Sequence, residues 1–563
     1  MIYLNHEFWN RAALLVTAVI VFTLTSCGPD AGKKEISEIP NFIVIFTDEM
    51  QFSDLGCYGG EIPTPNIDRL ASEGILFSNA YTPASMCTPS RYSILTGQFP
   101  GRCSAPSFAK ENPANQPYNI AWNTWITAEK KTLPRILSEN GFVTGMAGKW
   151  HIGRVPERTV LPEFQPDETL DNPDTEAKLI KQQSVYQGLV ESLGGFDEAT
   201  SVVWGNYDGH RLNALRFHNF PWMVKGALSF IEKQRESDKP FFLYFAPTAV
   251  HGPNHVADLL EDVSFTPGGR DTTLLGLKID IPALQEQLSQ VDPNTRHRYA
   301  GVAQTDHVVG LICEKLSESG LAENTVIIYM ADHNIEPGKA TSFEKGIHVP
   351  MIIYWPGRTS GSVSNALVQN TDIYPTILEA AGIGLPSDHI LDGVSMLSII
   401  SDPDQATRDF IFAENGYTRS VSDGTYKYIA LRYPEILIKK MESGEIDYVP
   451  SYVKAWPQAH SAIAINGFPC YFDQDQVYNL KDDPYEQENL YSQMRNSEEL
   501  KVLTAALEAH LESFDHPFDL TQIPFLETEE YRKLTEKNFE FDLLSIPWLS
   551  RDHGFIIWPP KKD

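Results

Sequence analysis

The stretch Asn41–Thr47 reads NFIVIFT, apolar and β-branched between its ends, the pattern of a strand covered on both faces. Phe142–Ala147, Phe241–Phe245 (FFLYF) and Thr325–Met330 (TVIIYM) repeat that character. Between such runs the period changes. In Pro65–Gly74 the residues Ile67, Leu70 and Ala71 fall on one helical face and a glycine closes the segment. Arg298–Ser319 predicts a longer helix that stops at Gly320. Strand, loop and helix alternate from residue 40 onward, which predicts an α/β sheet with covering helices. After about residue 405 short aromatic segments such as Thr425–Ala430 alternate with charged turns. A main domain over 40–405 and a smaller antiparallel domain over 406–563 are therefore expected. The stretch from roughly 520, rich in Pro, Phe and Trp, is expected to pack back onto the body.

The N-terminus does not belong to this pattern. Arg11 precedes an apolar run, Ala12–Leu24, too short for a comfortable membrane span. The run ends in Leu24-Thr25-Ser26-Cys27, which resembles a bacterial lipobox. That predicts a lipoprotein signal peptide over 1–27, lipidation at Cys27, a polar tether over 28–39, and a bacterial protein exported and anchored to the membrane, in the periplasm or at the cell surface. The competing reading is an ordinary secretory signal with an incidental cysteine. Six cysteines occur, Cys27, Cys57, Cys87, Cys103, Cys313 and Cys470, of which four remain if two are modified; export would permit disulfides, but no pairing pattern stands out, and small buried thiols account for them at least as well.

Charge then sets a constraint. The 563 residues include 74 acidic and 45 basic side chains, a formal charge of −29. Such a surface repels phosphate backbones and argues against nucleic-acid binding. An anionic substrate would need a locally positive pocket. The polar residues that follow the apolar strands supply one: Asp48 and Glu49 after the first, Lys149 and His151 after Phe142–Ala147, His251 after FFLYF, and Asp332, His333 and Lys339 after TVIIYM. In open α/β sheets ligands sit at the carboxyl ends of strands, so these groups are expected to converge. Carboxylates surrounded by cations suit a hard divalent ion acting on an anion. Removing one cation from so crowded a pocket is expected to leave thermal stability unchanged or raised.

One more stretch carries the chemistry. In Ser85-Met86-Cys87-Thr88-Pro89-Ser90-Arg91, Thr88 suits a helix cap and Pro89 the first turn, which places Cys87 beside a helix N-terminus, where a thiol pKa falls. Cys87-Thr88-Pro89-Ser90-Arg91, with Leu95-Thr96-Gly97 behind it, resembles the signature of the formylglycine-dependent sulfatases. Gly141 to Gly153 resembles their second signature, and Ala331-Asp332-His333, Phe343-Glu344-Lys345-Gly346 and Val477-Tyr478-Asn479-Leu480 resemble later landmarks.

The resemblance implies an alkaline-phosphatase-like fold: a large mixed β-sheet sandwiched by helices, with a smaller C-terminal α+β domain containing an antiparallel sheet. It implies that a maturation enzyme oxidises Cys87 to formylglycine, whose hydrated form attacks sulfur with help from Arg91. Lys149, His251 and Lys339 would hold the sulfate oxygens, His251 or Lys339 would protonate the leaving alcohol, and His151 would help expel sulfate. Calcium would be held by Asp48, Glu49, residue 87, Asp332 and His333. The substrate class by analogy is a sulfated carbohydrate, recognised by loops around 104–130, 155–220 and 430–470. Three positions depart from the pattern: Glu49 stands where relatives carry aspartate, Ala249-Val250 where proline is frequent, and His348 where arginine is frequent. Two alternatives stay open, a phosphonate or phosphate ester hydrolase on the same fold and a lipoprotein that binds sulfated glycans without turnover.

Overall fold

The computed structural model describes residues 39–521 except 166–167, 208–209, 253, 336, 444–463, 465–466 and 472. The leader with Cys27, the tether up to residue 38 and the stretch beyond 521 lie outside the described residues, as does part of the 430–470 loop. No helix among the described residues is long and apolar enough to cross a membrane.

Eight strands form the large sheet, in the order Ser362–Ser364, Ile75–Phe77, Met351–Tyr354, Thr325–Ala331, Asn41–Thr47, Phe241–Ala246, Val143–Lys149 and Glu198–Val203. Met351–Tyr354 runs antiparallel to both neighbours and every other pairing is parallel, so the sheet is mixed. The three apolar runs occupy its centre because only there are both faces covered. Every residue of Asn41–Thr47, Phe241–Ala246 and Thr325–Ala331 is buried.

Register then places the polar residues. Thr47 pairs with Ala331, so Asp48 and Asp332 leave the sheet side by side. The Asp332 N–H donates to the Thr47 carbonyl at 2.9 Å and the Asp48 N–H to the Ala249 carbonyl at 2.8 Å. The predicted Phe142–Ala147 strand instead covers Val143–Lys149, so Lys149 is the last residue of its strand rather than a loop residue. A register shift between Ala147 and Gly148 allows this, and Gly148 has φ of +99°. A Cβ there would stand 2.1 Å from the Ala246 carbonyl oxygen of the neighbouring strand, so only glycine fits.

The helices match their patterns with small shifts at the ends. Pro65–Glu73 buries Ile67, Leu70 and Ala71, and the long helix spans Arg296–Glu318. A second sheet is wholly antiparallel, in the order Ile411–Asn415, Thr418–Ser422, Tyr426–Leu431 and Asp475–Asn479. One of its faces carries the helix Glu498–Leu511, whose Leu500, Leu503, Leu507 and Leu511 pack on Val421, Tyr428, Ala430 and Val477. Lys427 ties this sheet to the body, with Nζ 3.1 Å from Glu344 and 2.8 Å from Glu486. None of the five described cysteines is in a disulfide, which favours the reading of small thiols.

Candidate active site

The helix behind the Cys87 motif begins two residues earlier than its cap pattern suggests. It spans Cys87–Thr96, with extended Met86 as its N-cap and Gly97 at φ +65° closing it. Pro89 is tolerated because first-turn N–H groups have no intrahelical acceptor. Thr88 does not cap; its hydroxyl donates to the His151 carbonyl at 2.9 Å and joins the helix to the loop after Lys149.

This geometry buries Cys87 at the carboxyl ends of the central strands. Its Sγ lies 3.1 Å from His333 Nε2, 3.5 Å from Lys149 Nζ and 3.6 Å from Asp48 Oδ1. Burial and the Asp48 charge push the thiol pKa up, yet Lys149, His333 and Lys339 outweigh them and hold it well below the ordinary value. Asp48, Cys87, Asp332 and His333 each offer one donor atom, all within 4.8 Å of one another and all buried. The His333 Nδ1 faces the Asn334 carbonyl at 2.7 Å, which leaves Nε2 directed at this cluster.

Each of the three strong cations has a carboxylate partner. Lys149 is salt-bridged to Asp48. Arg91 donates through Nε at 3.1 Å and through a terminal nitrogen at 2.8 Å to Asp332 Oδ2. Lys339 is paired with Glu49. The carboxylate pKa values follow from this pairing. Burial raises Asp48, but Lys149, His251, Arg91 and His333 hold it well below the usual range. Burial likewise raises Glu49, but His251 and Lys339 outweigh it and hold the carboxylate well below the usual range. Asp332 is pushed up to about 6 by burial and by Asp48, against the pull of His333 and Arg91. Burial lowers His333, but Asp332 and Cys87 raise it to about 9. The crowding of like charge anticipated from the sequence is therefore relieved: Lys149, Arg91 and Lys339 each face a carboxylate.

Two further findings concern the acidic pair and the histidines. The Glu49 carboxylate is not one of the four clustered donors; it faces Lys339, with His251 Nε2 3.7 Å away. Glu49 and His151 both have left-handed backbones, at φ 59° and 55°, which costs about 1–3 kcal/mol each in a non-glycine residue. Four hydrogen bonds hold them there. The Glu49 N–H donates to Asp332 Oδ1 at 3.2 Å, and Arg298 donates to the Glu49 carbonyl at 2.9 Å. The His151 N–H donates to the Trp204 carbonyl at 3.0 Å, and its carbonyl accepts from Thr88. Burial lowers the His151 pKa, opposed by its contact with Cys87.

His251 is held by residues that the sequence reading did not select. Its Nδ1 faces the Gly252 carbonyl at 2.9 Å, and its Nε2 lies 3.3 Å from Asn206 Nδ2. Asn206 follows the end of the Glu198–Val203 strand, so the strand-end rule that found Asp48 would have found it too. Arg298 has no such signal, because it lies in the first turn of a helix. His348 is not in the cluster; it stacks on Tyr81 with ring centres 4.6 Å apart and lies 2.8 Å from the Ser78 carbonyl.

A buried thiol, two carboxylates and an imidazole in one cluster, ringed by buried lysines and an arginine, are fitted to activate a nucleophile and stabilise an anion. Comparisons with known proteins agree. Residues 40–383 match the Sulfatase family. The chain is 28% identical over 437 residues to N-acetylgalactosamine-6-sulfatase of Canis lupus familiaris, covering 72% of this chain and 74% of that protein. It is 26% identical over 510 residues to arylsulfatase A of Homo sapiens, covering 84% and 89%. The fold is shared with the crystal structure of Ps i-CgsB in complex with k-i-k-neocarrahexaose, at a TM-score of 0.57 and 20% identity, over 89% of this chain and 98% of that one. With the family match spanning more than half of its length, this chain belongs to the sulfatase family and is a sulfuric ester hydrolase.

Proposed function

We propose that Cys87 is oxidised to formylglycine by a maturation enzyme and that the matured protein, with calcium bound, removes sulfate from a sulfated carbohydrate. The observation that carries this reading is the setting of Cys87: buried, at a helix start, with Lys149, His333 and Asp48 around its sulfur. Formylglycine at this position supplies a hydrated aldehyde whose hydroxyl attacks sulfur.

The residues present fit a metal ion. As encoded, the donor set of Asp48, Asp332, His333 and Cys87 is two oxygens, one nitrogen and one sulfur. Oxidation of Cys87 replaces the sulfur with oxygen and moves the set toward the ligands a hard cation takes. Calcium, when bound, supplies positive charge beside residue 87 and the sulfate oxygens. Glu49 would have to leave Lys339 to join that set. Its placement supports a different part, holding Lys339 and His251 in position.

The remaining roles follow from position. Arg91 anchors Asp332 and bears on residue 87. Lys149 and Lys339 hold sulfate oxygens and stabilise the charge that grows on them. His251, kept in place by Asn206 and Gly252, is placed with Lys339 to deliver a proton to the leaving alcohol. His151, half-buried beside Cys87 with its pKa lowered by burial, is suited to accept a proton from residue 87 when sulfate departs. The N-acetylgalactosamine-6-sulfatase match and the k-i-k-neocarrahexaose bound by Ps i-CgsB support a carbohydrate leaving group. Lipidation at Cys27 would tether the enzyme to a bacterial membrane, with 40–405 as the catalytic domain and 406–563 as the smaller one.

Paired assays test this reading. Matured protein should hydrolyse a sulfate ester far faster than the matching phosphate ester. Chelation should abolish that turnover and calcium should restore it. Preference for the phosphate ester, or full turnover after the metal is removed, would overturn the reading.

A further inference from the structure

A second group of metal-type donors lies outside the cluster around Cys87. His218 stands just before the helix Phe220–Gln234, and His255 and Asp258 are the first and last residues of the one-turn helix His255–Asp258. All three are buried, with 3%, 0% and 5% of their surface exposed. Each offers one donor atom, and the three atoms lie within 4.8 Å of one another.

These side chains are held firmly, yet their polar atoms are left unmatched. The His255 ring stacks on His297 with centres 4.8 Å apart, and the His255 N–H donates to His297 Nδ1 at 2.9 Å. Gly301, within the Arg296–Glu318 helix, makes room for the ring: a Cβ there would stand 2.5 Å from His255 Cδ2. His218 Nδ1 lies 2.6 Å from the Thr248 hydroxyl. His218 Nε2, both His255 ring nitrogens and Asp258 Oδ2 make no well-aligned hydrogen bond, although backbone of Gly252 approaches His218, backbone of Val250 and His251 approaches His255, and backbone of His218 approaches Asp258. His255 Nδ1 and Asp258 Oδ2 approach to 3.2 Å without the alignment of a hydrogen bond. Buried polar atoms are nearly always satisfied, and a single ion here would take one donor atom from each of the three side chains.

We propose that His218, His255 and Asp258 form a second metal site that takes zinc or a similar first-row divalent ion. Two imidazole nitrogens and one carboxylate oxygen are a borderline donor set, matched to zinc rather than to calcium. A cavity of ≈ 20 Å³ bordered by His218 and Asp258 has room for one water as a further ligand. Burial is the main cause that lowers His218 well below its ordinary value and takes His255 down to about 3. The imidazoles are therefore neutral, which is the ligating form. The site would brace the turn on which His251 lies, since His255 is four residues further along the chain.

The test is metal content of the matured full-length protein, purified and dialysed against excess calcium. Wild type should retain one more equivalent of zinc per chain than Asp258→Asn, a nearly isosteric change that mimics the protonated acid and should leave the fold intact by circular dichroism. Metal-free wild type titrated with cobalt should develop the visible band of a tetrahedral nitrogen–oxygen site, and its thermal midpoint should rise with zinc; Asp258→Asn should show neither response. Equal zinc content in the two proteins, or no cobalt band in wild type, would overturn the proposal and leave an adventitious ion only, or a metal-free polar cluster.

Discussion

Replacing Cys87 with alanine is expected to lower turnover of a sulfate ester by on the order of 10⁴-fold or more, as loss of a nucleophile does elsewhere, while leaving the protein folded. The physical reason is the contrast between what surrounds the sulfur and what packing requires. Cys87 is buried, but its neighbours are Lys149, His333 and Asp48 rather than apolar side chains. Removing the thiol takes away a polar atom that burial disfavours and leaves Asp48, Arg91, Asp332 and Lys149 paired as before. Stability should therefore change little and chemistry greatly. If Cys87 were a structural core cysteine the order would reverse, with a clear drop in thermal midpoint and nearly normal kinetics. Measuring kcat/KM and thermal midpoint on the same preparation separates the two.

Lys149→Ala should be the second most damaging change, and it should harm both properties. Loss of one preorganised charge that stabilises the transition state costs about a hundredfold or more in kcat/KM. The stability effect corrects the expectation drawn from the sequence. Lys149 is fully buried and salt-bridged to Asp48, so its removal leaves a buried carboxylate short of its main partner. Breaking such a pair costs about 3–5 kcal/mol, and Arg91, 3.9 Å from Asp48, keeps the figure near the lower end. The metal-free variant should melt well below wild type, and calcium should recover part of the difference by taking over the Asp48 charge. Wild-type kinetics together with an unchanged melting point would show that Lys149 is a bystander.

Much of this was legible in the sequence because a strand buried on both faces cannot be mistaken for much else. NFIVIFT, FFLYF and TVIIYM marked the centre of the sheet, and the residues after each marked the site. The Lys149 strand was harder to delimit, since Gly145 and Gly148 interrupt its apolar pattern and its register shift depends on a neighbour. The short strands at one end of the sheet, Ile75–Phe77 and Ser362–Ser364, left almost no signal. At the site, sequence order listed the charged groups but not their partners. That Glu49 faces Lys339 rather than the clustered donors follows from a left-handed backbone held by Arg298 and Asp332, contacts 249 and 283 positions away in the chain. His218, His255 and Asp258 escaped notice because nothing in their spacing announces that a helix turn and a helix entry meet.

On the proposed mechanism an aldehyde at residue 87, not the encoded thiol, performs the hydrolysis. It is tested most directly by measuring, on the same samples, the fraction of residue-87 peptide carrying formylglycine by mass spectrometry and the turnover of one sulfate ester per molecule of protein. Preparations made with graded amounts of a maturation enzyme supply the range. Turnover should rise in proportion to the formylglycine fraction and extrapolate to zero at zero conversion. Full turnover from protein whose residue 87 is entirely unmodified cysteine would contradict the account.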